Sequence, residues 1–272
     1  MEEIGAKVLR PLMPDQHRAF FAQLPFVVLG SVDGSGDAWA TLRADAPGFM
    51  TSPDPRTLHV ALAPEPADPA DAGLKDGAAV GLLGIEMHTR RRNRMNGTLH
   101  RLDPARVAVT VGESFGNCPQ YIHLRDWAPA DHHAPRPPEP LTALGPRERA
   151  LIAASGTFFV ASYADTGEGR RVDVSHRGGP AGFVQLADDG TLTVPDYSGN
   201  RFFNTLGNLL LNGRAGLVFV DFATGDMLQM SGAAEVVLDG AQAAWVPGAE
   251  RLWRFRPRRI VWRANALPLR WT

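Results

Sequence analysis

A chain of 272 residues is long enough for roughly two domains of about 150 residues, each able to bury its own core. Apolar residues at 44% and charged residues at 21% describe an ordinary globular protein, and a formal net charge of −1 leaves no global field to attract nucleic acid or an acidic membrane. One cysteine, Cys118, excludes an intramolecular disulfide and a cysteine-based zinc site; the first fourteen residues hold no signal-peptide core and no apolar run spans a bilayer, so the expected location is the cytoplasm.

In chain order, Asp15-Gln-His-Arg-Ala-Phe-Phe-Ala-Gln-Leu reads as a short helix. It leads into the apolar run Pro25-Phe-Val-Val-Leu-Gly-Ser-Val-Asp-Gly, which closes on an Asp/Gly turn. Ala46-Pro-Gly-Phe-Met, Asp54-Pro-Arg-Thr-Leu-His-Val and Leu74-Lys-Asp-Gly-Ala-Ala-Val-Gly-Leu-Leu continue the pattern of short strands and turns. Between the last two lies Ala63-Pro-Glu-Pro-Ala-Asp-Pro-Ala-Asp, which reads as stripped of ligand-binding groups. Thr89-Arg-Arg-Arg-Asn-Arg-Met-Asn-Gly follows; it suits a solvated hairpin or a surface for an acidic partner as well as it suits a ligand site. Basic residues are nearly all Arg, with Lys7 and Lys75 the exceptions, a bias that GC-rich codon usage explains as readily as anion recognition does.

Gly112-Glu-Ser-Phe-Gly matches the short G-x-S-x-G pattern of hydrolase elbows, but that motif needs a strand, a sharp turn and a helix in an α/β sheet, so Ser114 is not expected to be a nucleophile. Asn117-Cys-Pro-Gln comes next, and then the proline-rich stretch from Ala128 to Pro140, a semi-rigid linker in which Asp131-His132-His133 has nothing to hold a metal geometry. The expected organisation is an N-terminal unit over 1–127, a linker over 128–144 and a C-terminal unit over 145–272.

The second half repeats the first. Pro146-Arg-Glu-Arg-Ala-Leu-Ile-Ala-Ala-Ser is a helix with Pro in its first turn. Thr157-Phe-Phe-Val-Ala-Ser-Tyr-Ala-Asp-Thr, Pro180-Ala-Gly-Phe-Val, Asp188-Asp-Gly-Thr-Leu-Thr-Val, Leu211-Asn-Gly-Arg-Ala-Gly-Leu-Val-Phe and Gln229-Met-Ser-Gly fall in the same order as their counterparts in the first half. Strands are expected at 158–161, 182–186, 191–194, 215–222 and 228–237, a helix near 203–211, and a closing strand in Arg256-Pro-Arg-Arg-Ile-Val-Trp-Arg. Many short strands and few helices describe a mainly β protein of antiparallel barrels rather than alternating βα units.

Three stretches carry candidate chemistry. Val172-Asp-Val-Ser-His-Arg-Gly-Gly gathers Ser175, His176 and Arg177, a donor set suited to a phosphate dianion, before a glycine pair that allows close approach. Pro195-Asp-Tyr-Ser-Gly-Asn leads into a helix carrying Asn200, Asn204 and Asn208 at fourfold spacing, whose N-terminus offers free amides; capping and turn chemistry uses the same residue types. Asn93, placed opposite Gln229, offers an amide that both donates and accepts, as the edge of a flavin or pyrimidine requires. Walker and Rossmann glycine patterns are absent.

Val172-Asp-Val-Ser-His-Arg-Gly-Gly, Pro195-Asp-Tyr-Ser-Gly-Asn, Asn204-Thr-Leu-Gly-Asn-Leu and Asn117-Cys-Pro-Gln-Tyr-Ile together resemble the pyridoxamine 5′-phosphate oxidase-related proteins. The resemblance covers about 15–271 and is closest to the tandem subgroup with two barrels in one chain. It implies two tandem FMN-binding split β-barrels of antiparallel Greek-key type with a few short helices, packed as a pseudo-dimer, with FMN between them. Carried over by position, Ser175, His176, Arg177, Pro195, Asp196, Asn200, Asn204, Thr205 and Gln229 would bind the cofactor, with Asn93, Asn117, Cys118 and Gln120 approaching from the first copy. The implied activity is an oxidoreductase of unassigned substrate, with hydride transfer through flavin N5 and NADH or NADPH as candidate electron donor; a non-catalytic flavin or haem module is the alternative, and a homodimer of the whole chain stays open. The tail Trp262-Arg-Ala-Asn-Ala-Leu-Pro-Leu-Arg-Trp-Thr lacks the Arg-x-His pattern with which authentic family members read their vitamin substrate, so the family name does not assign one.

Overall fold

A computed structural model describes residues 10–116, 118–199, 204–238 and 246–272. Helix α1 (Asp15–Ala22) precedes seven strands: β1 (Phe26–Val32), β2 (Ala38–Ala44), β3 (Met50–Asp54), β4 (Thr57–Ala61), β5 (Ala79–Glu86), β6 (Arg91–Asp103) and β7 (Arg106–Gly116). Two short strands, β8 (Trp127–Pro129) and β9 (Glu139–Leu141), flank the proline-rich stretch, and helix α2 (Pro146–Ala154) follows. The second half supplies β10 (Thr157–Thr166), β11 (Gly169–Gly178), β12 (Gln185–Leu186), β13 (Leu192–Tyr197), helix α3 (Asn204–Asn212), β14 (Arg214–Val220), β15 (Met227–Val237), β16 (Ala249–Arg263) and β17 (Leu269–Trp271).

Both halves build the same antiparallel sheet. The first runs β2-β1-β5-β6-β7-β4-β3 and the second β11-β10-β14-β15-β16-β13-β12, so each strand has a counterpart in the same place. Even the irregularities repeat: a bulge falls at Asn96/Gly97 in β6 and at Ser231/Gly232 in β15, the two Met-x-Gly stretches of the sequence repeat. The chain is thus mainly β, two tandem split-barrel sheets with short helices. One expected strand is much shorter than foreseen: of 182–186 only Gln185–Leu186 is a strand, because the Phe183 amide turns back to the Pro180 carbonyl. The proline-rich stretch is pinned at both ends, β9 pairing with β16 and β8 with β17.

The register explains why β1, β10 and β14 are buried at consecutive residues along most of their length rather than at alternate ones. Val27 and Leu29 enter the core of the first sheet with Met13, Phe21 and Met95, whereas Phe26 and Val28 face a third core shared with the other half. Likewise Phe158 and Val160 fill the second sheet's interior, while Phe159 and Ala161 join Val218 and Trp271 in the shared core. Strands buried on both faces give continuous apolar runs, so the two halves form one body.

Two equivalent glycines set how closely the sheets approach. A Cβ on Gly81 of β5 would sit 2.9 Å from the Asp173 carbonyl carbon, and one on Gly216 of β14 would sit 2.3 Å from the Ala38 carbonyl oxygen. Gly216→Ala should therefore force the sheets apart and destabilise the chain by roughly 1–3 kcal/mol in urea unfolding. An unchanged midpoint would mean that this contact adapts freely.

Candidate anion-binding cleft

Strand β11 lies at the edge of its sheet, held to β10 by ten register pairs from Thr157↔Gly178 to Thr166↔Gly169. Its end delivers Ser175, His176 and Arg177 to the border between the halves. Strand β13 arrives beside it and shifts register against β16 between Asp196 and Tyr197, a bulge that re-aims side chains, so that Pro195, Asp196 and Tyr197 face one space. Helix α3 starts at the same place: Thr205 Oγ1 lies 2.9 Å from Ser175 Oγ.

The other wall comes from the first half. Arg92 and Arg94 of β6, then Cys118, Gln120 and Tyr121 from the segment after β7, line the cleft opposite His176, Arg177 and Asn204. Tyr121 adopts φ +64°, a conformation uncommon for a residue with a side chain, donates its hydroxyl to the Ser198 carbonyl at 3.0 Å and stacks on Tyr197 at 5.3 Å between ring centroids. The open space is about 110 Å³, several times the ~10–15 Å³ that one water needs. The cleft is therefore larger than a single-water void.

Of the expected residues, His176, Arg177, Pro195, Asp196, Asn204, Thr205, Cys118 and Gln120 line this cleft, and Ser175 lies directly behind it on Thr205. Asn117 and Asn200 lie outside the described residues. Two expectations are corrected. Asn93 does not line the cleft: side chains alternate along a strand, so Arg92 and Arg94 enter and Asn93, between them, does not. Gln229 is fully buried elsewhere, donating to the Ala40 carbonyl at 3.0 Å and to Asp68 at 2.9 Å. Its counterpart is Arg94, not Asn93, because Met95 pairs with Leu82 on β5 just as Met230 pairs with Leu217 on β14. The asparagine stripe also divides: Asn204 faces the cleft, whereas Asn208 donates to Ser162 Oγ at 3.1 Å and anchors the helix on β10.

The electrostatics favour an anion. Arg94 pairs with Asp173 at 3.1 Å and Arg177 with Asp196 at 2.5 Å. Among the described residues no carboxylate pairs with Arg92; Glu250 at the rim of the cleft pairs with Arg251 at 3.2 Å, so apart from that rim pair three guanidinium groups face two carboxylates. Burial, and Arg94 beside it, lower the Arg92 guanidinium to about 10, so it remains charged at neutral pH. Its Nη1 lies 3.0 Å from His176 Nδ1, and Arg can only donate, so Nδ1 accepts and the imidazole proton sits on Nε2. That Nε2–H is buried without a partner, as are the Nε atoms of Arg92, Arg94 and Arg177. Buried donors without acceptors are rare in folded proteins, and these four belong to side chains lining one cleft.

Burial, followed by the field of Arg92, holds the His176 imidazole far below its ordinary value of 6.5. As pH falls below about 6.5 the unfolded chain gains a proton here that the folded chain refuses, so stability present above that pH is lost on acidification, with a slope approaching about 1.4 kcal/mol per pH unit. His176→Gln should remove this part of the slope in urea unfolding followed from about pH 7.5 to about pH 5. Equal slopes in the two proteins would show that His176 is not its source.

The remaining candidates resolve as structural. Ser114 lies inside strand β7, fully buried, with its Oγ 2.9 Å from His17 Nδ1, so it forms no elbow and meets no cleft. Among the described residues no group of three or more His, Cys, Asp or Glu side chains is placed to hold a metal ion, and no helix is long and apolar enough to cross a membrane.

Fold and cleft together describe a tandem split-barrel protein with an arginine-lined cleft where its two sheets meet. Residues 144–264 match the family model described as Pyridoxamine 5′-phosphate oxidase. The matching segment lies in the second half of the chain, which thus resembles that family over somewhat less than half of the full length. No curated protein matches the sequence. Similar solved structures include HupZ of Group A Streptococcus, at 20% identity over 43% of this chain and 91% of that one, TM-score 0.33. A putative pyridoxamine 5′-phosphate oxidase of Lactobacillus delbrueckii matches at 19% identity over 40% and 98%, TM-score 0.32. The haem storage protein HutZ of Vibrio cholerae matches at 14% identity over 45% and 95%, TM-score 0.33.

Proposed function

We propose that the cleft binds FMN and that the chain is an FMN-dependent oxidoreductase whose substrate is unassigned. The observation that carries this reading is the set of four buried, unpartnered N–H donors around an arginine with no carboxylate of its own. A phosphate dianion satisfies both deficits at once, through short charge-assisted hydrogen bonds. Arg92 and Arg177 supply charge, the His176 Nε2–H a neutral donor, and Thr205 and Asn204 the polar start of helix α3, which favours an anion. Arg94 and Asp173 hold the two walls together across the cleft. FMN, when bound, supplies hydride transfer at N5, chemistry for which no protein nucleophile is required.

Haem ligation gains no support from His176: its Nε2 carries the proton and its Nδ1 faces Arg92, so neither nitrogen offers a free lone pair to iron. The test begins with the protein as purified. The expected result is a yellow protein whose released small molecule has the mass of FMN and whose colour bleaches on anaerobic mixing with NADH or NADPH and returns with oxygen. Bound flavin that neither nucleotide bleaches would favour a binding module or another donor. A colourless protein that takes up no added FMN would overturn the proposal.

A further inference from the structure

The cleft has a counterpart in the first half, and the register locates it residue by residue. Leu29 faces both Thr41 and Leu82, and Val160 faces both Ser175 and Leu217, so Thr41 corresponds to Ser175 and Arg43 to Arg177. Gln229 corresponds to Arg94, as shown above. The short 3-10 turn Pro69–Gly73, placed between β4 and β5, stands where helix α3 stands between β13 and β14. Thr41 Oγ1 meets Asp68, just before that turn, at 2.5 Å, as Ser175 Oγ meets Thr205 in the other half.

Acidic side chains of the chain occupy the centre of this second position. The Asp68 side chain is fully buried and receives five donors: the Ala70 amide at 3.0 Å, Thr41, Gln229 Nε2 at 2.9 Å, Arg43 Nη2 at 3.1 Å and Arg263 Nη1 at 3.0 Å. A backbone amide at a helical turn, a hydroxyl, an amide and two guanidinium groups are the donor set that a phosphate recruits. Glu65 bridges Arg43 and Arg263, and Asp71 lies 3.1 Å from Arg43. Burial, and Arg43 beside it, bring Arg263 down to about 9, which still leaves it charged at neutral pH. Here two cations meet three carboxylates, whereas in the cleft three cations meet two. Neutralising Glu65 and Asp68 would leave two cations against Asp71, the same surplus of one positive charge that the cleft carries.

We propose that Glu65 and Asp68 are a built-in anion that closes a second phosphate site, and that neutralising them opens it. The comparison with the cleft rests on the reading of that cleft as a phosphate site; the donors around Asp68 do not.

Equilibrium dialysis of the full chain against labelled inorganic phosphate tests this. The Glu65→Gln/Asp68→Asn variant should bind one equivalent per chain more than wild type, and should keep that extra equivalent when Arg92→Ala disables the cleft. A wild type that binds none and a variant that binds one would refute the cleft reading and support this one. A folded variant that binds no more than wild type would overturn this one and leave the cleft intact. Should the double variant fail to fold, Asp68→Asn alone, which neutralises the group that holds all five donors, serves. Its melting temperature should rise with added phosphate by more than that of wild type, and an equal rise would overturn the proposal.

Discussion

Replacing Arg92 with alanine should weaken FMN binding by about 100-fold while leaving the melting temperature of the ligand-free chain unchanged or slightly raised. One charge-assisted hydrogen bond contributes about 1.5–3 kcal/mol, or roughly 10- to 150-fold in affinity. Arg92 also holds the His176 proton on Nε2, so its loss weakens a second donor as well. Stability should not suffer, because a guanidinium taken from water without a carboxylate partner costs free energy in the folded state. The two readouts, FMN titration by flavin fluorescence and thermal melting without FMN, should therefore separate. If both fell together, Arg92 would be part of the scaffold rather than of the site.

Arg94 should behave in the opposite way. It pairs at 3.1 Å with Asp173, which is only 3% exposed and also accepts a hydrogen bond from the Asn96 amide at 3.4 Å. Arg94→Met leaves that carboxylate buried without a countercharge, which costs about 3–5 kcal/mol. Adding Asp173→Leu should recover most of the loss, since replacing both members of a buried ion pair with apolar groups is close to neutral. Urea unfolding of the two single variants and the double variant measures the coupling. Additive losses would mean that the pair does not tie the two halves together.

Much of the fold was legible because the chain states it twice. The repeated apolar run at 26–32 and 158–161 marks the two central strands, and the repeated Met-x-Gly stretches mark the two bulges. Ser175, His176, Arg177 and Asp196 were legible because two short, chemically dense stretches carry them. Arg92 and Arg94 were missed although both lie in a conspicuous basic run. Which residues of a strand face a ligand depends on the register, and local sequence does not determine it; the choice of Asn93 took the wrong parity. Their spacing of two was the available signal, since it places both on one face of a strand.

The segment at 63–71 was only partly legible for a related reason. Its composition does show a lack of ligand-binding groups. The composition could not show that Glu65 and Asp68 would meet Arg263, almost two hundred residues later, and fill the space themselves. The asymmetry between the copies is therefore less a loss of donors than a change in what satisfies them. Arg43 and Thr41 persist in the first half, turned inward onto the chain's own acids.

The most direct measurement is a comparison of FMN with riboflavin, which carries the same ring without the phosphate. If the cleft is a phosphate seat, FMN should bind about 100-fold more tightly than riboflavin, at one equivalent per chain, and Arg92→Ala should bring the two affinities close together. Equal affinity for FMN and riboflavin in the unaltered chain would contradict the account.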